Sequence, residues 1–201
     1  MRLLLHVCCA PCSIQCVESL AGEDIKPDIF WFNPNIHPYT EFCSRRDSLF
    51  LFAKEKGIAV IDEDVYGLRL FINGLFSSGH EDVLGSDAQL RCAAQLRCPY
   101  CYRLRLEKTA MAALEKGYDA FSTTLLISPY QNHELLKEIG EEVSKSHSIE
   151  FFYRDFRPRF RDGQRQAREA GYYMQKYCGC IFSEEERYVQ QHMLKQVNSS
   201  L

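Results

Sequence analysis

The chain has 201 residues, 46% of them hydrophobic, which is enough for one domain of ordinary size with a real core. Its 24 basic and 27 acidic residues leave a formal charge of −3, so no global field selects a polyanion, and any nucleic-acid surface has to be a local patch. No run of about 18 apolar residues is present to span a membrane, and the opening Met1-Arg2-Leu3-Leu4-Leu5-His6-Val7 is too short an apolar stretch for a signal peptide, so a cytoplasmic protein is expected.

Short apolar runs at Leu3–Val7, Asp28–Phe32 and Ile58–Asp62 read as strands, and the segments Pro11–Ala21 and Pro38–Lys56 between them carry helical periodicity. Gly57 follows the second helix where a left-handed residue is expected. This alternation predicts an open parallel sheet flanked by helices, an α/β fold. Glycines then break up short apolar clusters, and an irregular insertion of loops and short helices is expected over about 65–96. A helix from Pro99 to about Lys116 stops at Gly117, and Asp119–Leu126 is β-rich. Ser128-Pro129-Tyr130-Gln131 reads as a helix start, with a serine cap and proline at the first position. Phe151 and Phe152 suggest a further strand. Ser183-Glu184-Glu185-Glu186 reads as a capping box opening the last helix, in a C-terminal segment of about 153–198. No linker separates two units, so residues 1–201 are expected to form a single α/β domain.

Ten cysteines are many for the cytosol, where disulfides seldom persist. Six of them form tight pairs, Cys8/Cys9, Cys98/Cys101 and Cys178/Cys180. Cys98-Pro99-Tyr100-Cys101 lets two sulfurs reach one metal at a predicted helix N-terminus, which would lower their pKa values. Gly179 relieves crowding between Cys178 and Cys180. Cys8 and Cys9 follow the first strand, at the edge where open α/β sheets place ligand sites. An iron–sulfur site is the leading reading. A [4Fe–4S] cluster takes four thiolates and leaves two for a second metal or a redox pair. Structural zinc also takes four, and a metal-free dithiol enzyme is the third reading. Cys12 lies close by in sequence; Cys16, Cys43 and Cys92 read as packing cysteines.

Two polar clusters fall at the same strand edge. Asn33-Pro34-Asn35-Ile36-His37-Pro38-Tyr39 follows the second strand and could grip a polar substrate, or be an ordinary turn. Tyr130-Gln131-Asn132-His133 follows the fourth, where the bland alternative is a capped helix start. Between Arg154 and Arg168 six arginines (Arg154, Arg157, Arg159, Arg161, Arg165, Arg168) are interleaved with Phe156, Pro158 and Phe160, a composition suited to phosphate contacts and base stacking on RNA. A solvated face balanced by Asp155 and Asp162 is the plainer reading.

His-Val-Cys-Cys-Ala-Pro-Cys-Ser at 6–13, Asn-Pro-Asn-Ile-His-Pro-Tyr at 33–39, Arg-Cys-Pro-Tyr-Cys-Tyr at 97–102, Ser-Thr-Thr-Leu-Leu-Ile-Ser-Pro-Tyr-Gln-Asn-His at 122–133, Phe-Arg-Asp-Gly-Gln at 160–164 and Gln-Lys-Tyr-Cys-Gly-Cys at 175–180 together resemble the cobalamin-independent epoxyqueuosine reductases of the QueH type, over nearly the whole chain. The resemblance implies the last step of queuosine synthesis, reduction of an epoxide to an alkene on the modified nucleoside of a tRNA anticodon loop. It also implies a [4Fe–4S] cluster, a second mononuclear iron and an external electron donor. The N-terminal pattern is further similar to the PP-loop (HUP-like, Rossmann-like) fold, with Cys-Cys-Ala-Pro-Cys-Ser where that family has a glycine-rich phosphate loop, so nucleotide hydrolysis is not expected. Removing an epoxide oxygen as water takes two electrons and two protons, and an iron with an open position can act as the Lewis acid. Adjacent residues on an extended chain point to opposite sides. On that basis the cluster is expected on Cys8, Cys98, Cys101 and Cys178, and the second iron on Cys9 and Cys180. His37, Tyr39, Tyr130 and His133 are the expected proton donors or substrate contacts, and Arg154, Arg157, Arg159, Arg161 and Arg165 are expected to hold tRNA phosphates. The rival readings are a zinc-stabilised tRNA-binding module and a PP-loop-like tRNA-modifying enzyme.

Overall fold

A computed structural model describes residues 1–77 and 87–199, the side chains of 87–95, 190, 191 and 193–199 excepted. In chain order the elements are β1 (Leu3–Val7), α1 (Ala10–Ala21), β2 (Asp28–Trp31), α2 (Tyr39–Lys56), β3 (Val60–Asp62), α3 (Leu68–Ser77), α4 (Asp87–Glu115), β4 (Ala120–Thr123), α5 (His133–His147), β5 (Glu150–Phe151), α6 (Phe160–Glu169) and α7 (Ile181–Ser199). The strands form one parallel sheet, as the alternation predicts, and its order is β3-β2-β1-β4-β5.

β1 lies at the centre, and all five of its residues are buried, as a parallel strand covered on both faces requires. Its one polar member, His6, is satisfied: Nδ1 lies 3.0 Å from the Thr123 hydroxyl on β4 and Nε2 3.2 Å from the Phe32 carbonyl oxygen. Chain order reverses at β1, with β2 on one side and β4 on the other, so a crevice opens at the carboxyl ends of β1 and β4. Cys8 and Cys9 leave β1 there, and Thr124 leaves β4.

α1 packs on α2 and α6, while α4 packs on α5, β1 and β4. The α1–α6 crossing depends on Gly163, where a Cβ would sit 3.0 Å from the Pro11 carbonyl oxygen. That close approach carries Arg161, Gln164 and Arg168 to the helix that bears Cys12.

Three boundaries depart from the sequence reading. The region expected to hold loops and short helices includes α3, but α4 begins at Asp87 rather than Pro99 and continues through Pro99, with its C-terminal half packed into the core; residues 78–86 lie outside the described part. Ser128–Gln131 forms a turn, and α5 starts later, with the Asn132 side chain accepting from the Leu135 amide at 3.1 Å. α7 starts at Ile181, two residues before Ser183, whose amide and hydroxyl both donate to the Cys180 carbonyl. Among the described residues no helix is long and apolar enough to cross a membrane.

Candidate metal centre

The thiols of Cys8, Cys9 and Cys12 are buried with their sulfurs all within 4.8 Å of one another, and the Cys8 and Cys9 sulfurs lie 3.8 Å apart. Strand alternation therefore does not separate the adjacent pair. The pleat ends at Val7, and at the turn into α1 both side chains reach the same point, joined by Cys12 from the first turn of the helix. Hydrogen bonds from Cys12 and then Cys9 hold the Cys8 thiol well below its ordinary pKa. The other two are pushed up, Cys9 chiefly by burial and Cys12 chiefly by its contact with Cys8.

A second set gathers beside it. Cys101 on α4 and Cys180 just ahead of α7 are buried together against Phe71 and Leu75 of α3. Cys98 is half-buried and Cys178 exposed. Because α4 runs through this segment, Cys98 and Cys101 are not at a helix N-terminus, and burial pushes the Cys101 thiol up to about 12 rather than down. Cys16 and Cys43 stay apart as packing residues, and the Cys92 side chain lies outside the described residues.

The Cys178-Gly179-Cys180 loop is seated by groups that sequence reasoning did not assign. Arg45 of α2 is 1% exposed; its Nη1 and Nη2 donate to the carbonyls of Cys178 and Tyr177 at 3.0 and 2.9 Å, and its Nε to Glu41 at 2.7 Å. The His37 amide donates to the Gly179 carbonyl at 2.8 Å, and the Tyr177 hydroxyl to the His37 carbonyl at 2.6 Å. Asn33, Asn35 and His37 are buried. The 33–37 loop is thus a backbone seat for the cysteine loop, not an open substrate grip.

Two glutamines aim amide donors at sulfurs. Gln175 Nε2 lies 3.0 Å from Cys9 Sγ and 3.7 Å from Cys12 Sγ, and Gln131 Nε2 lies 3.5 Å from Cys178 Sγ. The buried Tyr102 hydroxyl donates to Gln131 Oε1 at 2.6 Å and so fixes which end of the amide faces the sulfur. On α4, Arg105 is 1% exposed, and its Nη2 lies 3.0 Å from Cys101 Sγ.

Cys8, Cys12 and Cys178 open into a cleft of about 1150 Å³, which also bears Thr124, Tyr130, Gln131, Gln164 and Gln175. Its cations are Arg45, Arg161, Arg168, Lys176 and Arg187. Of the four expected proton donors only Tyr130 lines it, 84% exposed. His37 and His133 are buried with Nε2 on the carbonyls of Pro34 and Ser128 at 3.0 and 3.1 Å, and Tyr39 stacks on Phe42 away from the cleft. Of the five expected phosphate-binding arginines only Arg161 reaches it. Arg154 pairs with Glu23, Arg157 with Asp155, and Arg159 and Arg165 with Asp162. Arg105 was legible in part, four residues after Cys101 on one helix face, and Gln175 and Lys176 as the start of the Gln-Lys-Tyr-Cys-Gly-Cys motif; nothing local marks Arg45 or Arg187.

The donor set is all thiol, with amide and guanidinium donors turned toward the sulfurs. That is the chemistry of a thiolate-bound metal group, and an iron–sulfur group fits it.

A family model described as epoxyqueuosine reductase QueH matches residues 3–186. Curated relatives carrying the same description include one from Dehalococcoides mccartyi, 33% identical over 93% of this chain and 94% of its own length. One from Acinetobacter baylyi is 34% identical over 90% of this chain and 80% of its own length. One from Thermotoga maritima is 32% identical over 92% and 91%.

Proposed function

Because the chain belongs to the epoxyqueuosine reductase QueH family, we propose that it reduces the epoxide of epoxyqueuosine in a tRNA anticodon loop to the alkene of queuosine. Two electrons from an external donor and two protons break both C–O bonds, and the oxygen leaves as water. The observation that carries this reading is the buried Cys8/Cys9/Cys12 trio, of which Cys8 and Cys12 line a cleft that also carries five cationic side chains. Nine described cysteines are free, which supports a cytoplasmic setting.

The grouping of the sulfurs favours Cys98, Cys101, Cys178 and Cys180 as ligands of a [4Fe–4S] cluster and Cys8, Cys9 and Cys12 as ligands of a second iron. This moves Cys8 to the second metal and brings in Cys12. When bound, these groups supply electrons and a Lewis acid. The chain's own residues do the rest. Gln131 and Gln175 hold sulfurs in place by their amides. Thr124, whose buried hydroxyl has no partner among the described residues, offers a hydrogen-bond donor at the cleft wall. Tyr130 presents an open ring, braced edge-on by Phe160 at 5.9 Å, on which a base can stack. Arg161, Arg168, Lys176 and Arg187 meet phosphates.

The test is anaerobic purification with iron and sulfide analysis and Mössbauer spectroscopy, followed by incubation with epoxyqueuosine-containing tRNA and dithionite. The expected result is a brown protein and a nucleoside that has lost one oxygen. A colourless zinc protein that leaves the epoxide intact sinks the proposal.

A further inference from the structure

Among the described residues two arginines are fully buried, Arg45 and Arg105, and they are not equivalent. Arg45 has a carboxylate partner in Glu41, itself 8% exposed, so that pair is locally neutral. Arg105 has no such partner. A guanidinium taken out of water needs a compensating anion, and among the described residues Arg105 makes no ion pair with a carboxylate. Its side-chain bonds go to the Cys101 carbonyl at 3.1 Å and the Cys101 sulfur at 3.0 Å. Its other charge neighbours are Cys178, Cys8 and Tyr102. The three cysteines come from α4, the Cys178–Cys180 loop and the end of β1, so this buried charge, which has no carboxylate partner among the described residues, sits where the separate cysteine segments meet. The groups placed to neutralise it are these sulfurs, which become anions when they hold a metal as thiolates.

We infer that Arg105 is a positioning charge that raises the reduction potential of the metal group held by these cysteines. A fixed positive charge and a donor on a ligand sulfur both favour the form that has gained an electron. The inference rests on the iron–sulfur reading above, but it concerns a property separate from epoxide reduction. Arg45 lies near the same sulfurs but, neutralised by Glu41, carries much less of this effect.

The experiment compares anaerobically reconstituted wild type with Arg105→Gln, Arg105→Met and Arg105→Lys, using iron content, far-UV circular dichroism and EPR-monitored redox titration. Gln and Met should lower the midpoint by at least a tenfold change in the reduced-to-oxidised ratio, about 59 mV for one electron, and Lys should recover most of it. If Gln and Met fold like wild type but lose iron while Lys keeps it with a wild-type midpoint, Arg105 serves to retain the metal rather than to set its potential, and the inference falls. A wild-type midpoint in iron-loaded Arg105→Gln overturns it, as does equal unfolding of all three variants, which would make Arg105 a packing residue. An iron-free wild type defeats the parent reading instead.

Discussion

Arg45 on α2 donates to the carbonyl oxygen of Cys178, 133 residues further along the chain, at 3.0 Å. One guanidinium thereby ties a helix of the first half of the sheet to the loop that carries two thiols, and Glu41 and the ring of Tyr177 complete its surroundings. Arg45→Met leaves Glu41 buried without its cation and two carbonyls without a donor. The expected loss is about 3–5 kcal/mol in urea unfolding of the metal-free protein. Adding Glu41→Gln should restore part of it, because the uncompensated carboxylate is then gone. A single variant as stable as wild type would show that the pair is not what holds the loop.

Gly179 holds φ at +129°, and a Cβ there would lie 3.1 Å from Arg45 Nη1 and 3.2 Å from Ile36 Cγ1. Gly179→Ala is expected to cost about 1–3 kcal/mol and to lower metal content, since Cys178 and Cys180 flank the strained residue. Gly57, at φ +65° with nothing within 4 Å, is the control. Its alanine variant should show only the backbone cost of about 1–2 kcal/mol with metal content unchanged. Equal metal loss in both would detach the effect from the loop.

The legible parts of this chain are those that local pattern determines. The run Leu3–Val7 and Gly57 fix β1 and the end of α2 where the sequence reading has them, and the strand–helix alternation puts Cys8 and Cys9 at the sheet's crevice. The illegible parts depend on partners far along the chain. Ser128 and Pro129 look like a helix start, yet Tyr102 of α4 donates to Gln131 and accepts from the Asn132 amide, and Asn132 takes the cap. Pro99 looks like a first helical residue, yet α4 carries it at the loss of one backbone hydrogen bond. Arginines read alike in a sequence: burial singles out Arg45 and Arg105, and neighbouring carboxylates separate Arg154, Arg157 and Arg165 from Arg161.

His6 titrates with a defined sign. The Phe32 carbonyl can only accept, so Nε2 carries the ring proton and Nδ1 accepts from the Thr123 hydroxyl. Burial, then the charge of Arg105, lowers its pKa to about 3. Below about pH 6.5 the unfolded chain binds a proton that the folded chain refuses, so stability is full above that value and falls with pH. The slope is up to about 1.4 kcal/mol per pH unit. Urea midpoints of metal-free wild type and His6→Gln at pH 7 and pH 5 isolate this contribution, since other groups titrate in both. Parallel losses in the two proteins would refute it.

Cys12 and Cys16 lie one helical turn apart on α1 and separate a metal ligand from a packing thiol. Cys12 shares the trio, whereas Cys16 is 0% exposed and lies outside it. Cys12→Ser should weaken cobalt(II) binding to the metal-free protein by at least 10–100-fold, the range seen when even groups around a ligand are lost. Cys16→Ser should leave affinity unchanged and lower only the unfolding midpoint. Thiolate-to-cobalt charge-transfer absorbance reads the first, and urea titration the second.

The cleft's cations make a prediction opposite to the one that arginine density suggests. Arg157 and Arg165 already hold carboxylates, so a phosphate gains only by displacing a neighbour, and such exposed pairs contribute little either way. Arg161, Arg168, Lys176 and Arg187 share the cleft mouth without an ion pair among the described residues, and a backbone that enters the cleft releases its counterions there. Each alanine substitution in this second group should flatten the plot of log affinity against log salt by about 0.7 for an unpaired strand. Arg157→Ala and Arg165→Ala should leave that slope within error. Filter binding of an anticodon stem-loop across a salt series measures it directly, and because the slope counts phosphates it stays interpretable where affinity changes are small. The reverse ranking would move the RNA surface off the cleft and onto the segment that bears Arg157 and Arg165.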